Sequence, residues 1–375
     1  MKVAIVYDRV NKWGGAERVL LALHDIFPKA TLYTSVYDPV GATWARVFPK
    51  VKASFLQKIP FAKSNHEFFA FLMPLAFESF DFSDFDLVIS VTSEFAKGIR
   101  VKPGTTHICY CLTPTRYLWS GYEDYFKNPF LKTITKPVVS ALRRWDRKAA
   151  ERPDKIIAIS SEVKKRIKKY YGRESKTIFP PVSIKPLPKE LKLKEYYLLV
   201  SRLDYGYKKV ELAIKVFNKL GYPLVIVGTG RQEGKLKKLA KKNIKFVGRV
   251  SEEKLQDYYL GAKALIMPQE EDFGIVSIEA QSYGVPVIAY KKGGALDTVI
   301  NKKTGIFFEK QDVESLMQAI KNFAKIHFSE RILTNNAERF SFKVFKNELQ
   351  RSLVCSNTGG RGGNTPLAKI QTKNS

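Results

Sequence analysis

Cysteine is scarce: the chain has three in 375 residues, an odd number, and Cys109 and Cys111 lie two apart in an apparent strand. Side chains two apart on a strand share a face, so neither a disulfide framework nor a paired metal site is indicated, and a cytoplasmic setting is expected. Long apolar runs are also missing. The richest candidate, Phe68 to Phe85, is interrupted by Pro74, Glu78, Asp81 and Asp84, which leaves it short of the roughly 18–20 apolar residues that cross a bilayer. The start, Met1 to Asp8, has too brief an apolar run for a secretory leader and reads as a buried first strand. No period of about 20–50 residues repeats, which sets aside solenoids and propellers. Acidic residues are few beside basic ones, 36 against 64, for a net charge of +28. The partners of such a surface are anions: phosphates, nucleic acid or an anionic lipid surface.

What is present is ordinary globular composition, 45% hydrophobic and 27% charged, in a chain long enough for two domains. Short β-branched runs predict strands at Val3–Tyr7, Thr31–Tyr37, Leu87–Val91, His107–Leu112 and Lys155–Ile159, then at Tyr197–Ser201, Leu224–Val227, Ile244–Val247, Ala264–Met267, Pro286–Tyr290 and Gly305–Phe308. Helix-length segments separate them, the pattern of an α/β, doubly wound fold with parallel sheets covered on both faces. The proline-rich text from Phe179 to Lys194 has no helical or strand period and reads as a linker. The expected division is residues 1–180, a linker over 181–194, residues 195–353, and a disordered glycine-rich tail over 354–375. The last helix before the tail is expected to pack back on the N-terminal domain.

Three stretches carry chemistry. Asn11 to Arg18 places Gly14 and Gly15 after the first strand, where a helix opens. Glycines there let a backbone approach a ligand, and the free N–H groups of a helix start favour phosphate; a plain tight turn is the competing account. Ser201-Arg202-Leu203 and Tyr207-Lys208-Lys209 put cations beyond a strand's carboxyl end, at the crevice where α/β sheets bind ligands. Gly228-Thr229-Gly230 lacks the third glycine of a dinucleotide site and reads as turn geometry. The most informative stretch, Ala264 to Ile288, runs strand, acidic loop, glycine turn, helix, glycine stop, strand, with Glu271 on the loop and Glu279 in the first turns of the helix. Two carboxylates also suit a glycoside hydrolase, but that reading leaves Arg202, Lys208 and both glycine turns unused.

The run from Glu271 to Glu279, with seven residues between the glutamates, resembles the signature of the retaining glycosyltransferases of family 4, the group 1 transferases, whose fold is two Rossmann-like domains facing a cleft (GT-B). Arg202 and Lys208 match that family's Arg and Lys pair, Gly14 to Arg18 resembles its N-terminal glycine loop, and Lys291 to Val299 resembles its later glycine turn. The resemblance covers about Met1 to Leu353. Pro74 to Asp81 and Thr113 to Trp119 point to bacterial mannosyltransferase-like members that build surface polysaccharides.

The resemblance implies roles. Arg202 and Lys208 would neutralise the leaving diphosphate of a nucleotide sugar, with no metal and no other cofactor. Glu271, with backbone amides at Phe273, Gly274 and Ile275, would hold the donor sugar, and Glu279 the ribose hydroxyls. Gly15 would let the N-terminal loop approach the diphosphate, and Arg249 and Val250 would face the base, GDP-mannose being favoured and a UDP-sugar the alternative. The subgroup's Cys-His-Thr-Pro stands here as Cys111-Leu112-Thr113-Pro114. The Leu112 side chain cannot hydrogen-bond, and the lost contact to the transition state is on the order of 2–4 kcal/mol. His107, five residues earlier, points to the opposite face and is expected to be structural. The resulting expectation is a hexosyltransferase acting on a growing, lipid-linked surface glycan. A catalytically impaired nucleotide-sugar-binding paralogue, serving as a partner subunit, is the alternative. The +28 charge alone suggests nucleic acid, but no nucleic-acid module is recognisable. Peripheral binding to an anionic membrane is expected through Phe68, Phe69 and Phe71 and the basic stretch Arg143 to Lys148, with burial of Phe68–Phe71 in the core as the competing account.

Overall fold

A computed structural model describes residues 1–63, 66–126, 128–184, 194–204 and 206–354. Most of the expected linker and the glycine-rich tail from residue 355 lie outside these residues. The chain divides into two compact units, Met1–Pro181 together with the segment from Phe342, and Val182–Ser341.

The first unit is built on a parallel sheet of β1 (Val3–Tyr7), β2 (Thr31–Thr34), β3 (Lys50–Ala53), β4 (Leu87–Thr92), β5 (Thr106–Cys111), β6 (Lys155–Ala158) and β7 (Lys176–Thr177), in the order β3-β2-β1-β4-β5-β6-β7. The second has β8 (Tyr196–Val200), β9 (Leu224–Val227), β10 (Ile244–Gly248), β11 (Ala262–Met267), β12 (Val287–Tyr290) and β13 (Gly305–Phe308), in the order β10-β9-β8-β11-β12-β13. Every residue of β1, β4 and β9 is buried, as strands covered by helices on both faces must be. In each sheet the order reverses beside the first strand, at β1/β4 and at β8/β11, and loops leaving the carboxyl ends of those strands flank a topological switch point.

β3 and β7 were not expected, and the strand at Thr31 stops at Thr34, before Tyr37. β3 is an edge strand with two exposed lysines, and β7 has two residues, so neither displays an apolar run. The second unit begins earlier than the sequence suggests. Val182 already donates its N–H to Phe340 O at 2.8 Å and pairs with Ser341. The terminal helix Phe342–Val354 completes the first unit: Phe345 meets the ring of Tyr110 edge-on at 5.9 Å, Glu348 pairs with Lys176 at 3.1 Å, and Lys155 Nζ donates to Ser352 O.

Candidate active site

In the second unit the loop after β8 is held by glycines of the loop after β9. A Cβ at Gly228 would lie 1.9 Å from Ser201 O, and one at Gly230 would lie 2.3 Å from Leu203 C. The two loops therefore touch only because both residues lack side chains, and Leu203 N donates to Thr229 O at 2.9 Å. Gly228-Thr229-Gly230 is turn geometry, but its product is the placement of Arg202. Arg202 and Arg249, which follows β10, are exposed and make no hydrogen bond or ion pair among the described residues. Val250 packs partly against the core.

Lys208 stands before a left-handed Lys209 (φ +53°), which turns the chain into the helix Val210–Leu220. Its Nζ lies 2.5 Å from Glu271 Oε1. Gln269 Nε2 donates to the same oxygen at 2.9 Å. The acidic loop is set by the turn after β12: Gly294 N donates to Glu271 O at 2.8 Å, and a Cβ on Gly293 or Gly294 would collide with the backbone of Glu271 or Phe273 at 2.3 Å. The Phe273 side chain is buried against Phe340 at 5.5 Å, so its part in any site falls to its backbone. Gly274 adopts φ +86° and caps the helix Ile275–Ser282. From that helix the buried Glu279 accepts the phenolic proton of Tyr259 at 2.8 Å, and Tyr259 stacks on Tyr283. Lys208 and Glu271 are thus brought into contact, while Glu279 sits on the adjoining helix with a tyrosine partner.

Gln269 and Tyr259 were not singled out from the sequence. An amide two residues from a glutamate was a visible signal; a tyrosine twenty residues away on another helix was not.

In the first unit, Gly15 opens the helix Gly15–Ile26, capped by Gly14. The Glu17 carboxyl folds back at that helix start, accepts the Tyr7 hydroxyl at 3.0 Å, and has its pKa raised chiefly by burial. A carboxyl of this chain therefore already stands where free N–H groups were expected to await a phosphate. Leu112 leaves β5 half-buried, its N–H bonded to Thr92 O. The loop that follows is tied down by the buried Asp146, which accepts from Trp119 Nε1 at 2.7 Å, the Tyr171 hydroxyl at 2.9 Å and Thr115 Oγ1 at 3.2 Å, and pairs with the buried Lys97 at 2.6 Å. The stretch Arg143 to Lys148 is therefore not simply a basic surface: Asp146 is interior, and the Arg143 guanidinium lies over Tyr122 and Trp119. His107 is fully buried, 2.9 Å from Ser90 Oγ, and burial followed by the nearby Arg152 pushes its pKa down to about 3.

Among solved structures, the apo form of a lipopolysaccharide outer core galactosyltransferase, WaaB, shares the fold with a TM-score of 0.65 at 19% identity, over 95% of this chain and 100% of that one. The two-sheet α/β architecture is that of the GT-B glycosyltransferases. Residues 184–340 match the family described as glycosyl transferases group 1. An uncharacterised glycosyltransferase of Haemophilus influenzae is 24% identical over 85% of this chain and 89% of its own length. A GDP-mannose-dependent monoacylated alpha-(1-6)-phosphatidylinositol monomannoside mannosyltransferase of Corynebacterium glutamicum is 39% identical over 26% of this chain. The chain spans only 28% of that relative's length. The group 1 match, residues 184–340, thus falls within the second unit.

Proposed function

We propose that the chain moves a hexosyl group from a nucleoside-diphosphate donor to a hydroxyl of a growing, lipid-linked surface glycan, with retention at the anomeric carbon. The observation that carries this reading is the contact of Lys208 with Glu271 at the carboxyl end of β11, beside the switch point. A cation and a carboxylate held together suit the two ends of one ligand, the diphosphate and the sugar hydroxyls. In the reaction the bond from the anomeric carbon to the phosphate oxygen breaks, and the acceptor oxygen bonds on the same face. The acceptor's proton passes to the departing phosphate. Lys208 and Arg202 neutralise that phosphate as charge develops on it, the electrostatic work that a metal would otherwise do. Glu279, held by Tyr259, receives the ribose hydroxyls, and the amides at Gly274 and Ile275 support the sugar.

The Corynebacterium relative's name favours GDP-mannose, with a UDP-sugar as the alternative. A panel of nucleotide sugars, assayed for donor consumption with and without EDTA, tests the reading. Consumption of one donor that survives chelation is expected; consumption of none, or loss on chelation, would refute it. Leu112 favours a second reading, a nucleotide-sugar-binding paralogue without turnover, which the same panel separates by binding without consumption.

The membrane contact is proposed with a revised footprint. Phe69 packs into the core, whereas Phe68 is 79% and Phe71 is 56% exposed. The helix Pro129–Ala149 adds exposed Phe130, Ile134 and Val138 in one stripe, followed by exposed Arg144, Arg147 and Lys148. An apolar stripe beside basic residues suits an anionic bilayer surface. Flotation with anionic vesicles, lost in Phe130→Ser/Ile134→Ser, is the expected result, and flotation indifferent to lipid charge would count against it.

A further inference from the structure

Gln269 is 2% exposed, placed between Pro268 and the acidic loop. Its amide nitrogen donates to Glu271 Oε1, while its own carbonyl oxygen is buried without a hydrogen-bond partner among the described residues. Exchanging the amide's oxygen and nitrogen would set a carbonyl against a carboxylate, so the hydrogen bond fixes the orientation. A buried carbonyl oxygen with no donor is unfavourable, and a leucine of similar size would avoid it. The compensating feature is the bond to Glu271, which is charge-assisted and partly buried. Unsatisfied buried groups of this kind need a reason, and the reason lies with Lys208. Lys208 and Gln269 share one carboxylate oxygen, but only Lys208 carries the charge that a diphosphate attracts.

We infer that Gln269 is a positioning residue for the sugar end of the donor. This rests on the reading that Lys208 and Glu271 serve the two ends of one nucleotide sugar. When the diphosphate draws the Lys208 ammonium toward itself, the amide bond, which does not depend on Lys208, keeps the Glu271 carboxylate beside the sugar hydroxyls. Without it the carboxylate follows its cation and faces the leaving group, where its charge opposes departure. Because the Gln269 side chain is out of solvent, its amide cannot trade that bond for one to water. Gln269 thereby separates the two halves of an ion pair that would otherwise move as one.

The experiment compares the full chain with Gln269→Leu and Gln269→Glu, using nucleotide sugars and the matching nucleoside diphosphates as probes. Gln269→Leu should melt no lower than wild type and bind the sugar-free diphosphate within about twofold of it, because that ligand does not use Glu271. Its kcat/KM for the nucleotide sugar should fall about 10–100-fold, the cost of a misplaced contact. Gln269→Glu, which keeps the shape, should be poor near neutral pH and recover as the pH falls, when the new carboxyl takes a proton that it can share with Glu271. Wild-type kcat/KM in Gln269→Leu, or a lower melting temperature with activity falling only as the folded fraction falls, would overturn the inference and leave the transferase reading standing. A wild-type chain that consumes no nucleotide sugar and binds it no differently from the diphosphate would overturn both.

Discussion

Replacing His107 by glutamine should abolish a specific acid sensitivity of the fold. The imidazole projects from β5 wholly inside the first unit, its Nε2 2.9 Å from Ser90 Oγ of β4 and its Nδ1 without a hydrogen-bond partner among the described residues, and its pKa is pushed down to about 3 by burial and then by Arg152. In the unfolded chain the ring titrates near the usual value of about 6.5. Above that value both states are neutral and the residue adds no pH dependence. As the pH falls, the unfolded state takes up a proton that the folded state refuses, and stability drops by about 1.4 kcal/mol per pH unit until the folded pKa is reached. Between pH 7 and pH 5 this amounts to about 2 kcal/mol. Asp8 and Glu17 have raised pKa values and act in the opposite sense, gaining protons more readily when folded. The total pH profile therefore mixes signs, and the informative quantity is the difference between the two proteins. Urea unfolding of wild type and His107→Gln at a series of pH values should show a difference that shifts by about 2 kcal/mol over this interval. A difference that stays constant would refute the account of a neutral, desolvated imidazole.

Asp146→Ala removes the partner of the buried Lys97, and its urea midpoint should fall by the equivalent of about 3–5 kcal/mol; a loss under about 1 kcal/mol would mean that the pair is screened as surface pairs are. Gly294→Ala places a Cβ 2.3 Å from the Phe273 backbone and should cost about 1–3 kcal/mol by overpacking, while lowering nucleotide-sugar turnover more than nucleoside-diphosphate affinity. Leu112→His should raise turnover with little change in nucleotide affinity, as expected of a contact made in the transition state. Steady-state kinetics beside calorimetric titration checks this: nucleotide bound with no turnover from either protein would favour the binding paralogue, and an ordinary wild-type rate with no gain would mean that the histidine contact is dispensable.

Much of the fold was legible because β1, β4, β9 and β12 are short β-branched runs hidden on both faces, and such runs stand out between polar helices. β3 did not, since Lys50 and Lys52 alternate with Val51 and Ala53 on an edge. At the site, the glycine turns and the acidic loop were readable because particular residue types must occupy them. Asp146 was misread because its surroundings in sequence are arginines and lysines, while its partners come from 25 to 31 residues away for the hydrogen bonds and from the loop after β4 for the ion pair. Burial reverses the meaning of a charge, and burial is a property of the tertiary fold. The aromatic run at Phe68 split for the same reason: Phe69 faces inward, and Phe68 and Phe71 do not.

The crossing of the chain at Val182 and back at Ser341 has a consequence for how the protein is made. The second unit is an insertion whose two ends are already joined by a backbone hydrogen bond, so all of its strands emerge from the ribosome before the first unit has its last helix. Until residues 342–354 are synthesised, the face of the first unit around Tyr110 lacks Phe345 as cover. Domains that fold during synthesis normally do so from the N-terminus, but here the first unit to begin is the last to finish. A nascent chain stalled just short of Phe342 should carry a closed second unit and an open first one, a state in which the exposed apolar face needs a chaperone's protection.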